Sequence, residues 1–305
     1  MLLAIADAVI EVQWDWLRLR RRIRNLRDYA ARPMIASQLR TALRLLRVAL
    51  HLARGACIVG LVYPLASSDL RTRLRRNWSR GLLRILNIRL RLVGPQRSIQ
   101  GLLVANHVSW IDVIVIDSIC NPHFVCKDDV RRWPVVGWLC KHNGTLFIDR
   151  SRNSDVLRVA VEIGRRLRTG ALVTVFPEGT TSEGTGMLPF RNGLLQAAVD
   201  ARATVQPLAL SYLDAQGMHT TAPAYRGDDT LWQSLCSIAS QPELTADVRL
   251  LPHIVCAGRT RRAVGEEAHA CIRASLESPL VLRPVRLRRE NVARSAPRRA
   301  QAAAE

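Results

Sequence analysis

From residue 88 onward the chain alternates between short apolar runs and longer stretches of helical period. Seven runs read as strands: 88–94 (IRLRLVG), 101–106 (GLLVAN), 123–127 (HFVCK), 144–149 (GTLFID), 171–176 (ALVTVF), 204–212 (TVQPLALSY) and 247–255 (DVRLLPHIV). Apolar positions recurring every three to four residues predict helices over 110–119, 131–142, 154–169, 190–201, 229–240 and 260–276. Strands spaced by helical runs of this length predict an α/β fold, a mixed, largely parallel sheet flanked by helices. Pro207 lacks the ladder donor, so its run is expected at a sheet edge or with a bulge.

Upstream the pattern is helical and basic. Residues 14–33 (WDWLRLRRRIRNLRDYAARP) and 38–54 (QLRTALRLLRVALHLAR) are rich in arginine. In the second piece Leu39, Leu43, Leu46 and Leu50 recur at three- and four-residue steps, with Arg40, Arg44, Arg47 and Arg54 between them. This predicts basic amphipathic N-terminal helices suited to an anionic membrane surface. A further basic helix is expected over 67–88, with serine and aspartate available as caps. The nearest approach to a membrane span is 48–66, where His51 and Arg54 leave only 55–66 uncharged. That falls short of the ~18 residues a spanning helix needs, so a helix lying in the interface is expected. The opening MLLAIADAVI has no basic region before it and no small-residue cleavage site after it, so no secretory signal is expected. After 277, arginine, proline and alanine follow without an apolar period, which predicts a basic, disordered tail. The expected division is therefore 1–66 for membrane association, 67–276 for the α/β domain and 277–305 for the tail.

Charge narrows the partners. The 305 residues carry a formal charge of +20, almost all from arginine, since Lys127 and Lys141 are the only lysines. Such an excess points to nucleic acid, anionic lipid or an acidic carrier protein. A basic nucleic-acid-binding protein is the poorer fit: there is no helix-turn-helix signature or zinc-ligand spacing, and aromatic residues make up only 5%. Cys57, Cys120, Cys126, Cys140, Cys236, Cys256 and Cys271 are scattered without a C-x-x-C pair, as free thiols in a reducing compartment would be.

Three polar groups follow strand runs. In ANHVSWIDV (105–113) a histidine precedes an aspartate by five residues. On one helix those side chains would point about 140° apart. They meet only if His107 lies in the turn before the helix carrying Asp112, and Ser109 is an available N-cap for a helix starting at Trp110. Asp112 would then fix the imidazole tautomer and leave the other nitrogen as a base. Taken alone, the stretch favours a backbone-tied histidine at a strand end. In VTVFPEGTTSEG (173–184) the Pro-Glu-Gly-Thr corner exposes backbone N–H groups able to hold an anionic oxygen. Glu178 would repel phosphate, so it reads as a clamp on an amide, hydroxyl or arginine. In GTLFIDRSR (144–152), Arg150 is placed to grip a phosphate or carboxylate, with a surface pair to Asp149 as the alternative. Ligands of open α/β sheets bind outside the carboxyl ends of strands, so the three features can converge on one site.

Together these blocks resemble the glycerolipid acyltransferase superfamily, which contains the 1-acyl-glycerol-3-phosphate acyltransferases. Its Asn-His-x-x-x-x-Asp motif is matched by Asn106, His107 and Asp112. Gly-x-x-Phe-Ile-x-Arg is matched by Gly144, Phe147, Ile148 and Arg150, and Phe-Pro-Glu-Gly-Thr by Phe176, Pro177, Glu178, Gly179 and Thr180. An apolar run around a proline is matched by VQPLAL with Pro207. The resemblance covers roughly 85–257 and implies a glycerol-3-phosphate acyltransferase-like fold. It also implies a membrane-associated O-acyltransferase acting from an acyl thioester onto a lysophospholipid, lysophosphatidic acid becoming phosphatidic acid. His107 and Asp112 would be the catalytic pair. Asn106, Arg150, Phe176, Pro177, Glu178, Gly179 and Thr180 would bind substrate. Acyl-CoA or acyl carrier protein would be the co-substrate, with no bound cofactor, no metal and no covalent acyl-enzyme, at the cytoplasmic face of the inner membrane. One departure stands out: many members acting on lysophosphatidic acid have Thr-Arg-Ser after the glycine, and this chain has Thr181 where that arginine would stand. GTTSEG followed by LPFRNGL is similar to the lyso-ornithine-lipid branch, the alternative acceptor, and Arg191 is a candidate for the missing cation.

Overall fold

The computed structural model describes residues 37–94, 99–133 and 135–278. The basic run 14–33 and the tail from 279 lie outside these residues. The sheet has eight strands: β1 (Ile88–Val93), β2 (Leu102–Ala105), β3 (His123–Lys127), β4 (Leu146–Ile148), β5 (Val173–Val175), β6 (Thr204–Leu213), β7 (Leu244–Leu250) and β8 (Ile254–Val255). Their order is β1-β7-β6-β2-β5-β3-β4, with β8 also on β6. From β6 to β4 every pairing is parallel, while β7 and β8 run antiparallel to β6. The sheet is mixed and largely parallel, as the alternation predicts.

Helices cover both faces, which is why the central β2 is apolar throughout, and a short helix, α4 (Val136–His142), precedes β4. All four residues of β2 are fully buried. Leu103 and Ala105 face the cluster formed with α2 (Ser68–Ile85), α3 (Ile111–Cys120) and α7 (Leu231–Ser240). Leu102 and Val104 face α5 (Asn153–Arg168), α6 (Gln196–Asp200) and α8 (Arg261–Glu277). β6 keeps the same two-residue alternation, with Leu208, Leu210 and Tyr212 toward α3. Pro207 sits in the sheet interior, not at an edge. It stands where the partner of β6 changes: Val205 pairs Ile254 and Leu208 pairs Leu250, so two residues oppose three. That bulge tolerates the missing donor, and the Pro207 carbonyl still accepts from Leu251 N at 3.0 Å. The run 247–255 is accordingly two strands, and the helix expected over 190–201 begins only with a 3-10 turn, Asn192–Leu195, before α6.

The helix α1 runs unbroken over Ser37–Leu65, ending in a π turn, Ile58–Val62, and a 3-10 turn, Tyr63–Leu65. Among the described residues it is the one helix long and apolar enough to cross a membrane. The residues that interrupt its apolar run in sequence are in part turned inward. His51 stacks on Trp78 of α2 and contacts its carbonyl oxygen at 2.9 Å, while Trp78 Nε1 donates back to His51 O at 3.0 Å. Arg44 donates to the carbonyls of Ala239, Gln241 and Pro242, closing the end of α7. Val48 lies in one cluster with Leu82, Leu83 and Leu86. On the outer side Leu39, Leu43, Leu46, Leu50, Leu61 and Leu65 are exposed.

Candidate active site

β2 ends at Ala105, and the next residue extends its pairing with a side chain. The Asn106 amide donates to Leu210 O and accepts from Leu210 N, each at 2.8 Å, and is fully buried. Asn106 therefore braces β2 to β6. The chain then turns through His107–Trp110 into α3, which places Asp112 in the first turn of the helix. His107 Nδ1 lies 2.9 Å from Asp112 Oδ2, the contact that the five-residue spacing allows only across such a corner. The same oxygen accepts from Val108 N at 2.7 Å and Ser109 N at 2.9 Å. Ser109 does not cap α3 with its side chain; its hydroxyl is buried without a partner, and Trp110 holds the N-cap position. Asp112 holds the two turn amides that precede α3, and its charge sits favourably at the positive end of the helix.

The loop after β5 packs over this corner. Glu178 Oε1 accepts from His107 N at 2.7 Å and Oε2 from Leu188 N at 2.9 Å, so the carboxylate clamps two backbone amides. Burial pushes the Glu178 carboxyl above its ordinary value, and those two bonds oppose the shift. Phe176 stacks on the imidazole with centroids 4.0 Å apart. Ser182 N donates to His107 O at 2.8 Å. Phe176, Pro177 and Glu178 are buried, while Thr180 is exposed.

Arg150 reaches in from the end of β4. It does not pair with Asp149, whose carboxylate accepts from Ser151 N at 3.0 Å and Ser151 Oγ at 2.6 Å. Arg150 Nη1 donates instead to Gly179 O. Gly179 has φ +77° and lies between two cations: a Cβ there would be 3.4 Å from Arg191 Cδ and 3.7 Å from Arg150 Nη1. Burial, then the Arg191 charge, pull the Arg150 guanidinium below its usual value. Among the described residues neither arginine forms a salt bridge. Thr181 turns to the 221–226 loop, its hydroxyl donating to Tyr225 O.

One residue of the site is absent from the sequence reading. Tyr212, fully buried on β6, donates its hydroxyl to Asp112 Oδ1 at 2.6 Å. Its signal in the sequence is a lone phenol on an apolar strand face, in phase with Leu208 and Leu210. A buried tyrosine hydroxyl nearly always has a partner.

The carboxyl end of the sheet thus carries an oriented imidazole, a clamped turn and two guanidinium groups that form no salt bridge among the described residues. Comparison with known proteins bears on what it serves. Residues 89–211 match the Acyltransferase family model. A lyso-ornithine lipid O-acyltransferase of Pseudomonas aeruginosa is 34% identical over 241 residues, 78% of this chain and 92% of that protein. A 1-acyl-sn-glycerol-3-phosphate acyltransferase of Neisseria meningitidis is 37% identical over 171 residues, 55% of this chain and 67% of that protein. The crystal structure of the 1-acyl-sn-glycerophosphate acyltransferase PlsC from Thermotoga maritima superposes with TM-score 0.63 at 18% identity, covering 80% of this chain and 95% of that one, and shares its fold. With a relative matched almost from end to end, this chain belongs to the lysophospholipid acyltransferase family and is an acyltransferase.

Proposed function

We propose that the protein transfers a fatty acyl group from an acyl thioester to the free hydroxyl of lysophosphatidic acid, giving phosphatidic acid. The observation that carries this reading is the His107–Asp112 contact beside Arg150 and Arg191, which form no salt bridge among the described residues. With Nδ1 engaged by Asp112, His107 Nε2 takes the proton of the acceptor hydroxyl as its oxygen attacks the thioester carbonyl. The carbon–sulfur bond of the tetrahedral intermediate then breaks, and the thiolate leaves with the proton held by the imidazolium. No serine nucleophile is required. Arg150, with Arg191 beside it, grips the anionic head group in a fork. Asn106, Phe176, Pro177 and Glu178 hold the corner that presents His107, while Gly179 and Thr180 line the acceptor side.

The donor is acyl-CoA or acyl carrier protein, both acidic and both attracted by the +20 chain. The outer leucines of α1 support docking in the interface at the cytoplasmic face of the inner membrane, with one side of the helix already occupied by α2 and α7. In this division 1–66 associates with the membrane, 67–276 performs the chemistry and 277–305 is a basic tail. A second reading, acylation of lyso-ornithine lipid, is favoured by Thr181, which offers no third cation and is tied to Tyr225.

Purified protein given acyl-CoA and either lysolipid, with products identified by mass spectrometry, separates the two acceptors. His107→Ala is expected to lose turnover on the preferred acceptor while keeping its thermal melting profile. Retained turnover in that variant would remove the base from the mechanism.

A further inference from the structure

The acyl-transfer reading explains one oxygen of Asp112 and leaves the other. Oδ2 takes three donors, from His107, Val108 and Ser109. The tyrosine hydroxyl on Oδ1 comes from the opposite side, from a strand that contributes no other group to the reaction. We propose that Tyr212 is a positioning residue for the acyl-transfer base: it pins the far oxygen of Asp112 and so sets both the aim and the basicity of His107.

The delivery is rigid. β6 runs three residues beyond the Asn106–Leu210 brace, and Tyr212 is held in register with Ala246 of β7. Its ring lies in the core cluster with Val108, Ile111 and Val115, so the phenol has little freedom to leave. A carboxylate bonded at Oδ2 alone could swing about its terminal torsion, which is broad and soft. Occupying Oδ1 removes that motion. Burial, and then the Asp112 charge, push the phenol well above the ordinary tyrosine range, so it remains a donor throughout working pH. A donor on Oδ1 also draws charge away from the carboxylate, which tempers its hold on an imidazolium. Among the described residues Glu178 also faces this pair, its carboxylate engaged with His107 N and Leu188 N.

This inference rests on the acyl-transfer reading, and its test uses the full chain with palmitoyl-CoA and whichever of the two lysolipids the wild type turns over. Wild type, Tyr212→Phe, Asp112→Asn and the double variant are compared for kcat, KM and the pH profile of kcat/KM. Tyr212→Phe is expected to lower kcat about tenfold with KM nearly unchanged, and to move the acid limb to higher pH. In the Asp112→Asn background the same substitution should cost nothing further. A wild-type kcat and acid limb overturn the proposal, as does an equal loss in both backgrounds, the mark of a packing role. Should Tyr212→Phe fail to fold, Tyr212→3-fluorotyrosine keeps the hydroxyl and strengthens it as a donor, so the acid limb should move to lower pH. An unmoved limb there overturns the proposal too. A wild type that acylates neither lysolipid removes the acyl-transfer reading as well, whereas an active wild type with an unaltered Tyr212→Phe removes only the role of Tyr212.

Discussion

At the scale of single residues, the site depends on side chains that replace backbone. Asn106 extends the β2–β6 ladder by one rung, Asp112 ties down the amides of the turn before α3, and Glu178 holds two loop amides. Each is fully or almost fully buried, so each removal strands partners rather than exposing them. Asn106→Ala leaves Leu210 N and O unsatisfied, a loss of about 2 kcal/mol or more, equivalent to a melting temperature lower by roughly 4–8 °C. A melt within a degree of wild type would show that water replaces the amide. The His107–Asp112 contact was legible because helix geometry leaves only one way for the two to meet. Tyr212 was not, because its meaning depends on β6 lying beside β2, an adjacency that no local pattern encodes.

Among the elements, α1 shows where one-dimensional reading fails. Counting His51 and Arg54 as interruptions shortens the apolar run, yet His51 faces α2 and its ring nitrogen is paired there. Leu39, Leu43, Leu46 and Leu50 form one outer stripe, as their period predicts, but Arg44, expected on the basic flank, turns inward with Val48 and His51 to donate to carbonyls at the end of α7. The sequence does not reveal that both stripes of the helix have a use, since the inner partners lie on α2 and α7. Close helix contact requires Gly81, where a Cβ would stand 2.6 Å from His51 Cε1. Alanine for glycine inside a helix ordinarily stabilises by about 1 kcal/mol, but overpacking against a stacked, bonded ring costs about 1–3 kcal/mol. Gly81→Ala should therefore lower the melting temperature, and a rise would mean that His51 yields freely. The strands were legible as apolar runs and Pro207 signalled a bulge as one of two alternatives, whereas β8 was not legible, because where the facing strand splits is a property of the pairing.

For the whole molecule, charge and apolar surface act together. On the proposed docking of α1 in the interface, its outward leucines and the net charge of +20 should make the protein bind vesicles rich in phosphatidylglycerol more tightly than neutral ones, with affinity falling as salt rises. Leu46→Glu with Leu50→Glu alters two exposed positions, so folding should survive while sedimentation with vesicles is lost. Equal sedimentation of the variant would place the docking surface elsewhere.

The Arg44 latch has a practical consequence. Anchors of membrane enzymes are often treated as removable, and a chain starting near Ser67 looks like a route to a water-soluble enzyme. Here that cut would take away the guanidinium that closes the three carbonyls at the end of α7, and would strip Val48 from Leu82, Leu83 and Leu86. α1 and the α/β domain share a core, so solubility is better sought by substituting the outer leucines than by shortening the chain.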